Sequence, residues 1–221
     1  MSKLKVFFTA FVLFSAFSYF WKSPWSPILE HRINSKIVQS QIAEAITLLE
    51  WKASYALNDK IKRDSLWEAA QLSFVRGSDN KRSRRLLEAC LQLPNFDEKA
   101  QAYIYLGNIS FEEDPFEGLY IWKKVLAEYP DHPQAAELWV RIAGEYEALS
   151  NSEAAVEAWS KATEYGSVRN MAHLALGRLK LKSDPPAAIE HFKIVKKDKF
   201  IERSRAAELG EQLAQWELEK Q

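Results

Sequence analysis

The sequence predicts an all-α protein, and three observations support this prediction. Glycine accounts for only 7 of the 221 residues and proline for 8, which leaves few positions for the tight turns of an all-β fold. Ala, Leu, Glu and Lys, which favour helices, recur throughout the chain. Apolar residues follow one another at steps of three and four, which is the period of an amphipathic helix.

The charge balance limits the kinds of partner. Lys and Arg together number 30, as do Asp and Glu, so the net charge is +0. A neutral chain has no general attraction for the phosphates of nucleic acid, and we expect no nucleic-acid partner. The chain is 47% hydrophobic and 27% charged, which is the balance of a folded globular protein. A partner would therefore have to be held by a local surface of a folded chain.

An export signal is predicted at the N-terminus. Lys3 and Lys5 precede an uncharged, phenylalanine-rich run over residues 6–21, and Lys22 closes the run. As a helix, this run would rise about 24 Å, slightly less than the ~30 Å hydrocarbon core of a bilayer. The positive charges would keep the short tail in the cytoplasm. We therefore expect the rest of the chain on the extracytoplasmic, periplasmic side of the inner (cell) membrane, which the chain would cross once.

Residues 1–22 are thus either a retained signal anchor, a transmembrane helix, or a cleaved signal peptide. Tyr19 and Trp21 are typical of the aromatic belt of a retained span. Ala16 and Ser18 instead provide small residues at the spacing that cleavage needs. Retention is the preferred prediction. Cleavage, which would release the chain into the periplasm, stays open.

The next stretches are predicted to be a linker and then helices. Residues 23–32 contain two prolines, which disfavour helical geometry in the residue before each, and we predict a juxtamembrane linker. Residues 33–57 have apolar positions at steps of three and four and are predicted to form one amphipathic helix. A turn is predicted at 77–80, where Gly, Ser, Asp and Asn follow one another.

A helix–turn–helix pattern recurs in the second half of the chain. Its first helix presents a large residue, an aliphatic residue and a small residue, and its second helix presents a small residue, an aromatic residue and a small or β-branched residue. In residues 136–169 the pattern occupies Trp139, Ile142, Ala143, Tyr146, Ala155, Trp159 and Ala162. The preceding copy has Tyr103, Leu106, Gly107, Gly118, Trp122, Val125 and Pro130, and the following copy has His173, Leu176, Gly177, Ala188, Phe192 and Val195.

This pattern resembles the tetratricopeptide repeat (TPR), a helix hairpin of about 34 residues. The resemblance implies a right-handed superhelical α-solenoid of TPR-like hairpins, with three repeats over residues 98–202 and degenerate helical repeats over 33–97. The small residue of each first helix would lie where two helices approach closely. Each hairpin alone leaves one apolar face exposed, so its stability depends on stacking against its neighbours.

The last stretch, residues 203–221, is predicted to be a helix that caps the stack. Ala206, Leu209, Gly210 and Leu213 continue the first-helix pattern, but no second helix follows. A capping helix needs a polar outer face. We expect that face to carry Glu208, Glu211, Gln212 and Gln215.

No arrangement of residues predicts an enzyme. The four histidines are scattered, there is no HExxH motif or cysteine pair, and no glycine-rich phosphate loop is found. We therefore predict no catalytic residue, no bound metal and no cofactor. His173 occupies a repeat position usually given to a large side chain, and we expect it to pack there. Cys90, the only cysteine, is expected to be a small buried filler.

The TPR resemblance implies a concave surface, lined by first helices, that binds another protein or a peptide. The first-helix positions that would point into it include Ile104, Tyr105, Asn108, Val140, Arg141, Met171, Leu174 and Arg178. They lack the repeated Lys and Asn residues with which some TPR proteins clamp a carboxylate, and they favour an amphipathic helix. The chain's own residues 33–57, or a second copy in a homo-oligomer, are alternative occupants.

A second candidate surface is a basic patch, which consists of Arg76, Lys81, Arg82, Arg84 and Arg85. It could bind anionic lipid headgroups or an acidic partner, or be a solvated face. The leading hypothesis is a membrane-tethered TPR scaffold or adaptor that binds its partner in an extracytoplasmic assembly for envelope biogenesis or secretion. The alternative is a structural subunit of a larger membrane complex, bound through its convex face and basic patches.

Overall fold

The structure, a computed structural model, describes residues 27–220. In this range the chain forms α-helices joined by short turns, as the sequence predicts. The helices are α1 (Pro27–Val38), α2 (Ile42–Ser54), α3 (Asp59–Arg76), α4 (Asn80–Leu91), α5 (Lys99–Glu113), α6 (Pro115–Glu128), α7 (Ala135–Ala148), α8 (Ser152–Ala162), α9 (Arg169–Lys180), α10 (Pro185–Val195) and α11 (Ile201–Glu219).

The predicted export signal, residues 1–22, lies outside the described residues. Helix α1 begins at Pro27, inside the stretch 23–32 predicted to be a linker. Proline is compatible with this position because the first turn of a helix does not need its N–H group. Of the helices within residues 27–220, none has the length and apolar content that crossing a membrane requires.

The chain divides into two compact units, Met1–Ile121 and Trp122–Gln221, and the division falls inside helix α6. In the first unit α1 to α5 pack in chain order, each against the next. Its core includes the fully buried side chains of Ile33, Leu49, Leu87 and Ile109. The predicted turn at 77–80 is present, because α3 ends at Arg76 and α4 begins at Asn80. Asp79 caps α4 by accepting a hydrogen bond from the Arg82 N–H.

The single helix predicted over 33–57 is wrong, because the chain breaks between α1 and α2. Ser40 adopts a left-handed conformation with φ 59°. The N–H of Gln41 donates to the Lys36 carbonyl at 2.8 Å, and that of Ser40 donates to the Ile37 carbonyl at 3.1 Å. These two bonds form a Schellman motif, which satisfies the last carbonyls of α1 and ends the helix.

In the second unit two hairpins, α7–α8 and α9–α10, follow the predicted repeats, and α11 packs against α9 and α10. The turns within these hairpins occupy residues 149–151 and 181–184. Asn151 caps α8 through a bond from the Ala154 N–H, and Asp184 caps α10 through a bond from the Ala187 N–H. The core of this unit includes Ala188, Phe192 and Val195 of α10 and Ala207 and Ala214 of α11.

Candidate functional site

A mostly apolar cavity of about 520 Å³ opens on the surface of the second unit, between α8, α9, α10 and α11. Its size is that of a typical ligand pocket. It is lined by Trp159, Met171, Leu174, Ala175, Arg178, Leu181, Phe192, Ala206, Leu209, Gly210 and Leu213. We call this cavity the α9–α11 groove.

The floor of the groove is the ring of Phe192, held between two glycines. A Cβ atom at Gly177 would lie 2.6 Å from Cε1 of this ring, and one at Gly210 would lie 2.5 Å from its Cζ. Both distances are too short for a side chain, so α9 and α11 can flank the ring only because neither carries one here. This packing confirms the close approach expected at Gly177. The groove therefore depends on small residues that bring two first helices to one aromatic ring.

Its rim carries one ion pair. Glu147 accepts a hydrogen bond from Nε1 of Trp159 at 2.7 Å, and its other oxygen lies 2.5 Å from Nη2 of Arg178. The Arg178 side chain is 65% exposed. An ion pair this exposed contributes at most about 1 kcal/mol. Arg178 can therefore turn from Glu147 to a carboxylate of a bound molecule at little cost.

The structure brings together the candidate residues of the third repeat. Met171, Leu174 and Arg178 all line the groove. They lie one turn apart on α9, so they project from the same face of the helix. Met171 is 36% exposed and lies at the surface, whereas Leu174 is half-buried.

The candidate residues of the other two repeats lie elsewhere. Val140 and Arg141, on α7, are outside the groove, and the Arg141 guanidinium lies 4.2 Å from the centre of the Trp122 ring, in a cation–π contact. In the first unit, Ile104 is only 4% exposed, so it packs inside the unit and does not present an open surface. Asn108 is half-buried on the same helix, α5.

Tyr105 is a packing residue of the first unit. Its ring stacks on Phe74, with the centroids 4.2 Å apart, and on Trp67, with the centroids 6.0 Å apart. Both partners belong to α3, where the repeat pattern is degenerate and did not reveal them. Tyr105 is half-buried, and the face of its ring that stacks on α3 is not open to a partner.

Three of the five residues of the predicted basic patch form ion pairs, with two carboxylates. Arg82 and Arg85 both pair with Glu50 of α2, and Arg82 also donates to Thr47 Oγ1 at 2.9 Å. Arg84 pairs with Glu113 of α5 at 2.8 Å. These three arginines join α4 to α2 and α5, and Arg85, at 66% exposure, is the most exposed of them. The other two residues of the patch, Arg76 and Lys81, are exposed.

Sequence reasoning missed an exposed apolar stripe on α11. Leu209, Leu213 and Trp216 are 63%, 51% and 53% exposed, whereas Ala207 and Ala214 face the core. Leu209, Leu213 and Trp216 are spaced four and three residues apart, so they lie on one face of the helix. This spacing could have identified the stripe from the sequence. Of the expected polar residues, Glu208, Gln212 and Gln215 are exposed beside this stripe. Glu211 is not, because its carboxylate pairs with Lys196 at 2.9 Å and its side chain is only 13% exposed.

The titratable groups of the described chain do not form a metal site. Within residues 27–220 no group of three or more His, Cys, Asp or Glu side chains is placed to hold a metal ion. His173 is half-buried, as a packing residue, and its Nδ1 lies 3.0 Å from Nδ1 of His191. Burial raises the pKa of the Cys90 thiol to about 12, so this cysteine is protonated and unreactive at neutral pH.

The fold of the described chain is all-α and TPR-like. No family model matches the sequence, and no curated protein matches it. Two solved structures are similar, "Crystal structure of MamA" and "Crystal structure of MamA protein", both of a TPR-containing protein. The first has a TM-score of 0.51 and 15% identity, and the alignment covers 85% of this chain and 95% of that one. The second has a TM-score of 0.51 and 16% identity, with 87% and 91% covered. At this level of identity the likeness is one of fold.

Proposed function

We propose that this protein is an interaction scaffold of the TPR type that holds an apolar helix of another protein in the α9–α11 groove. The observation that carries the proposal is the groove itself, an open apolar cavity of about 520 Å³. Binding, and not catalysis, is the proposed work of this surface.

The chemistry of the groove favours an amphipathic helix over a charged tail. Met171, Leu174 and Leu209 offer apolar contacts, and Arg178 is the only charged residue among those that line the groove. A helix that docks in such a groove presents apolar anchors at steps of three and four residues. An acidic residue beside those anchors would meet Arg178 and fix the direction of the helix.

Crosslinking in cells tests the proposal. A photoreactive residue, p-benzoylphenylalanine, at Met171 should crosslink the full-length protein to its partner, which mass spectrometry identifies. The matched control is Ile194 of α10, which is apolar, 46% exposed and outside the groove. With the purified partner, Met171→Glu should weaken binding about tenfold or more, since a carboxylate would be buried against apolar side chains, and Ile194→Glu should not. Equal crosslinking from both positions, or unchanged affinity of Met171→Glu, would contradict the proposal.

We further propose that the scaffold is tethered to the inner membrane and works on the extracytoplasmic side, in an assembly for envelope biogenesis or secretion. The support is the sequence alone: two lysines and then an uncharged run over residues 6–21. Alkaline phosphatase fused after Gln221 should be active, because this enzyme folds only after export. Resistance to extraction with alkaline carbonate, together with an intact N-terminus, would distinguish retention from cleavage. An inactive fusion would contradict the proposed side.

A further inference from the structure

The exposed stripe on α11 has the spacing of a coiled-coil seam. Ala206, Leu209, Leu213 and Trp216 follow one another at steps of three, four and three residues, which alternate as the a and d positions of a heptad do. All four are exposed, while Ala207 and Ala214 hold the opposite side of the helix against α10. Large apolar side chains in such a row indicate an interface.

The stripe is complementary to itself when a second copy runs antiparallel. With residue 211 at the midpoint of both helices, Leu209 faces Leu213 of the second copy. Ala206 faces Trp216 of the second copy, so the smallest side chain of the seam meets the largest. Each contact occurs twice, as twofold symmetry requires.

The charges at the two ends of the stripe fit the same register. Glu202 faces Lys220 of the second copy, because both stand at seam positions of the same heptad. In a parallel pair, by contrast, Glu202 would face Glu202 and Lys220 would face Lys220, and both contacts would be repulsive. Glu202 is exposed in the structure, and Lys220 lies 3.5 Å from Glu217 of its own chain.

We infer that the α11 stripe is a homodimer interface in which two copies of α11 pair antiparallel about residue 211. The inference does not depend on the proposed partner-binding function. A single pair of helices of 19 residues buries less than the ~1,600 Å² of a standard interface, so the dimer is a weak one, with a dissociation constant in the micromolar range. Leu209 and Leu213 also line the α9–α11 groove, so the dimer and a bound helix compete for them.

Charge variants of the full-length protein in detergent micelles test the register, with sedimentation equilibrium as the measurement. Glu202→Lys and Lys220→Glu should each weaken the dimer about tenfold, because each creates two like-charge contacts. A mixture of the two variants should dimerise at least as well as the wild type, since every end contact is then a Lys–Glu pair.

Trp216→Glu should weaken the dimer similarly, and Gln215→Glu, which is exposed but off the stripe, should not. A wild-type protein that stays monomeric at 200 μM, about a hundredfold above a low micromolar dissociation constant, would overturn the inference. So would a dimer that Glu202→Lys, Lys220→Glu and Trp216→Glu all leave unchanged.

Disulfide crosslinking gives an independent measurement. Glu202→Cys alone should not crosslink under mild oxidation, because the two cysteines would be about 27 Å apart at a rise of roughly 1.5 Å per residue. Co-expression of Glu202→Cys with Lys220→Cys should give a covalent heterodimer. The native Cys90 is buried and does not interfere. Efficient crosslinking of Glu202→Cys to itself would show a parallel pair and overturn the inference. Unchanged dimerisation of Met171→Glu would separate this interface from the partner-binding site.

Discussion

The imidazoles of His173 and His191 share one hydrogen bond in the second unit. This bond makes the free energy of unfolding depend on pH. Burial lowers the pKa of both His173 and His191. The nearby Arg169 lowers the pKa of His173 further, His173 and Lys180 lower that of His191, and Asp184 partly offsets them. In the neutral pair one Nδ1–H donates to the other Nδ1, whereas two protonated rings leave two donors facing each other.

We expect the free energy of unfolding to fall as the pH is lowered from about 7.5 to 5. In the unfolded chain both histidines take up protons near pH 6.5, while in the folded chain they resist protonation until a lower pH. His191→Gln should remove on the order of 0.5 kcal/mol of this pH dependence, after allowance for solvent screening. Urea unfolding of the wild type and the variant at pH 7.5 and 5.5 measures this pH dependence. His31→Gln, at an exposed position of α1, is the control, and an equal effect of both variants would contradict the expectation.

A second prediction concerns the glycines that hold Phe192. Gly177→Ala places a methyl carbon 2.6 Å from Cε1 of the ring, which is closer than van der Waals contact, and we expect it to destabilise the second unit by about 1–3 kcal/mol. Gly144→Ala is the matched control, because it also lies in a first helix but a Cβ there meets nothing within 4 Å. That change should stabilise by about 0.5–1 kcal/mol, since alanine favours a helix more than glycine does. Thermal unfolding of both variants is the measurement, and a Gly177→Ala variant as stable as Gly144→Ala would contradict the packing.

At the scale of helices, Glu50 holds α4 against α2 through two arginines. Glu50→Gln would leave Arg82, which is half-buried, without its carboxylate, and we expect a loss of about 1–3 kcal/mol in unfolding free energy. Glu88→Gln, on an exposed position of α4, should change it by less than about 0.5 kcal/mol. Urea denaturation distinguishes the two. Equal values for both variants would show that the ion pairs of Glu50 contribute nothing measurable.

The sequence predicts helix boundaries well where a capping residue marks them. Asn151 and Asp184 stand just before α8 and α10, and each accepts a hydrogen bond from a backbone N–H of the first turn. The break between α1 and α2 escaped prediction because Ser40 takes the left-handed position that glycine or asparagine usually fills. The same motif recurs at Ser150, with φ 57°, where the N–H groups of Ser150 and Asn151 donate to the carbonyls of Glu147 and Tyr146.

The candidate site was predictable only where the repeat pattern is regular. The regular spacing of the third repeat predicted three positions that line one groove, Met171, Leu174 and Arg178. The packing of Tyr105 could not be predicted, because its stacking partner Phe74 belongs to a helix with no clear repeat pattern. Leu209 continues the first-helix pattern, but no second helix follows α11 to cover it, and its side chain is 63% exposed. Whether such a side chain is buried or exposed depends on contacts between helices that lie far apart in the sequence. A local sequence pattern carries no information on those contacts.

For the molecule as a whole, the two proposals together predict a coupling between self-association and partner binding. Leu209 and Leu213 belong both to the groove and to the α11 stripe, so a dimer covers part of the site that a partner helix needs. The apparent affinity for a partner is then reduced by the fraction of protein that is dimeric. Wild-type protein should therefore bind its partner more weakly as its own concentration rises above the dimer dissociation constant.

Trp216→Glu separates the two equilibria, because Trp216 belongs to the stripe but does not line the groove. We expect this variant to bind the partner with an affinity that does not change with protein concentration. At a total protein concentration of about ten times the dimer dissociation constant, roughly one fifth of the wild type is monomeric, so the affinity of the variant should exceed that of the wild type about fivefold. Titrations with a fluorescent partner peptide at two protein concentrations measure the effect, and Gln215→Glu should behave as the wild type does. A wild-type affinity independent of concentration would mean that the dimer leaves the groove open. Leu209 and Leu213 would then serve only one of the two surfaces.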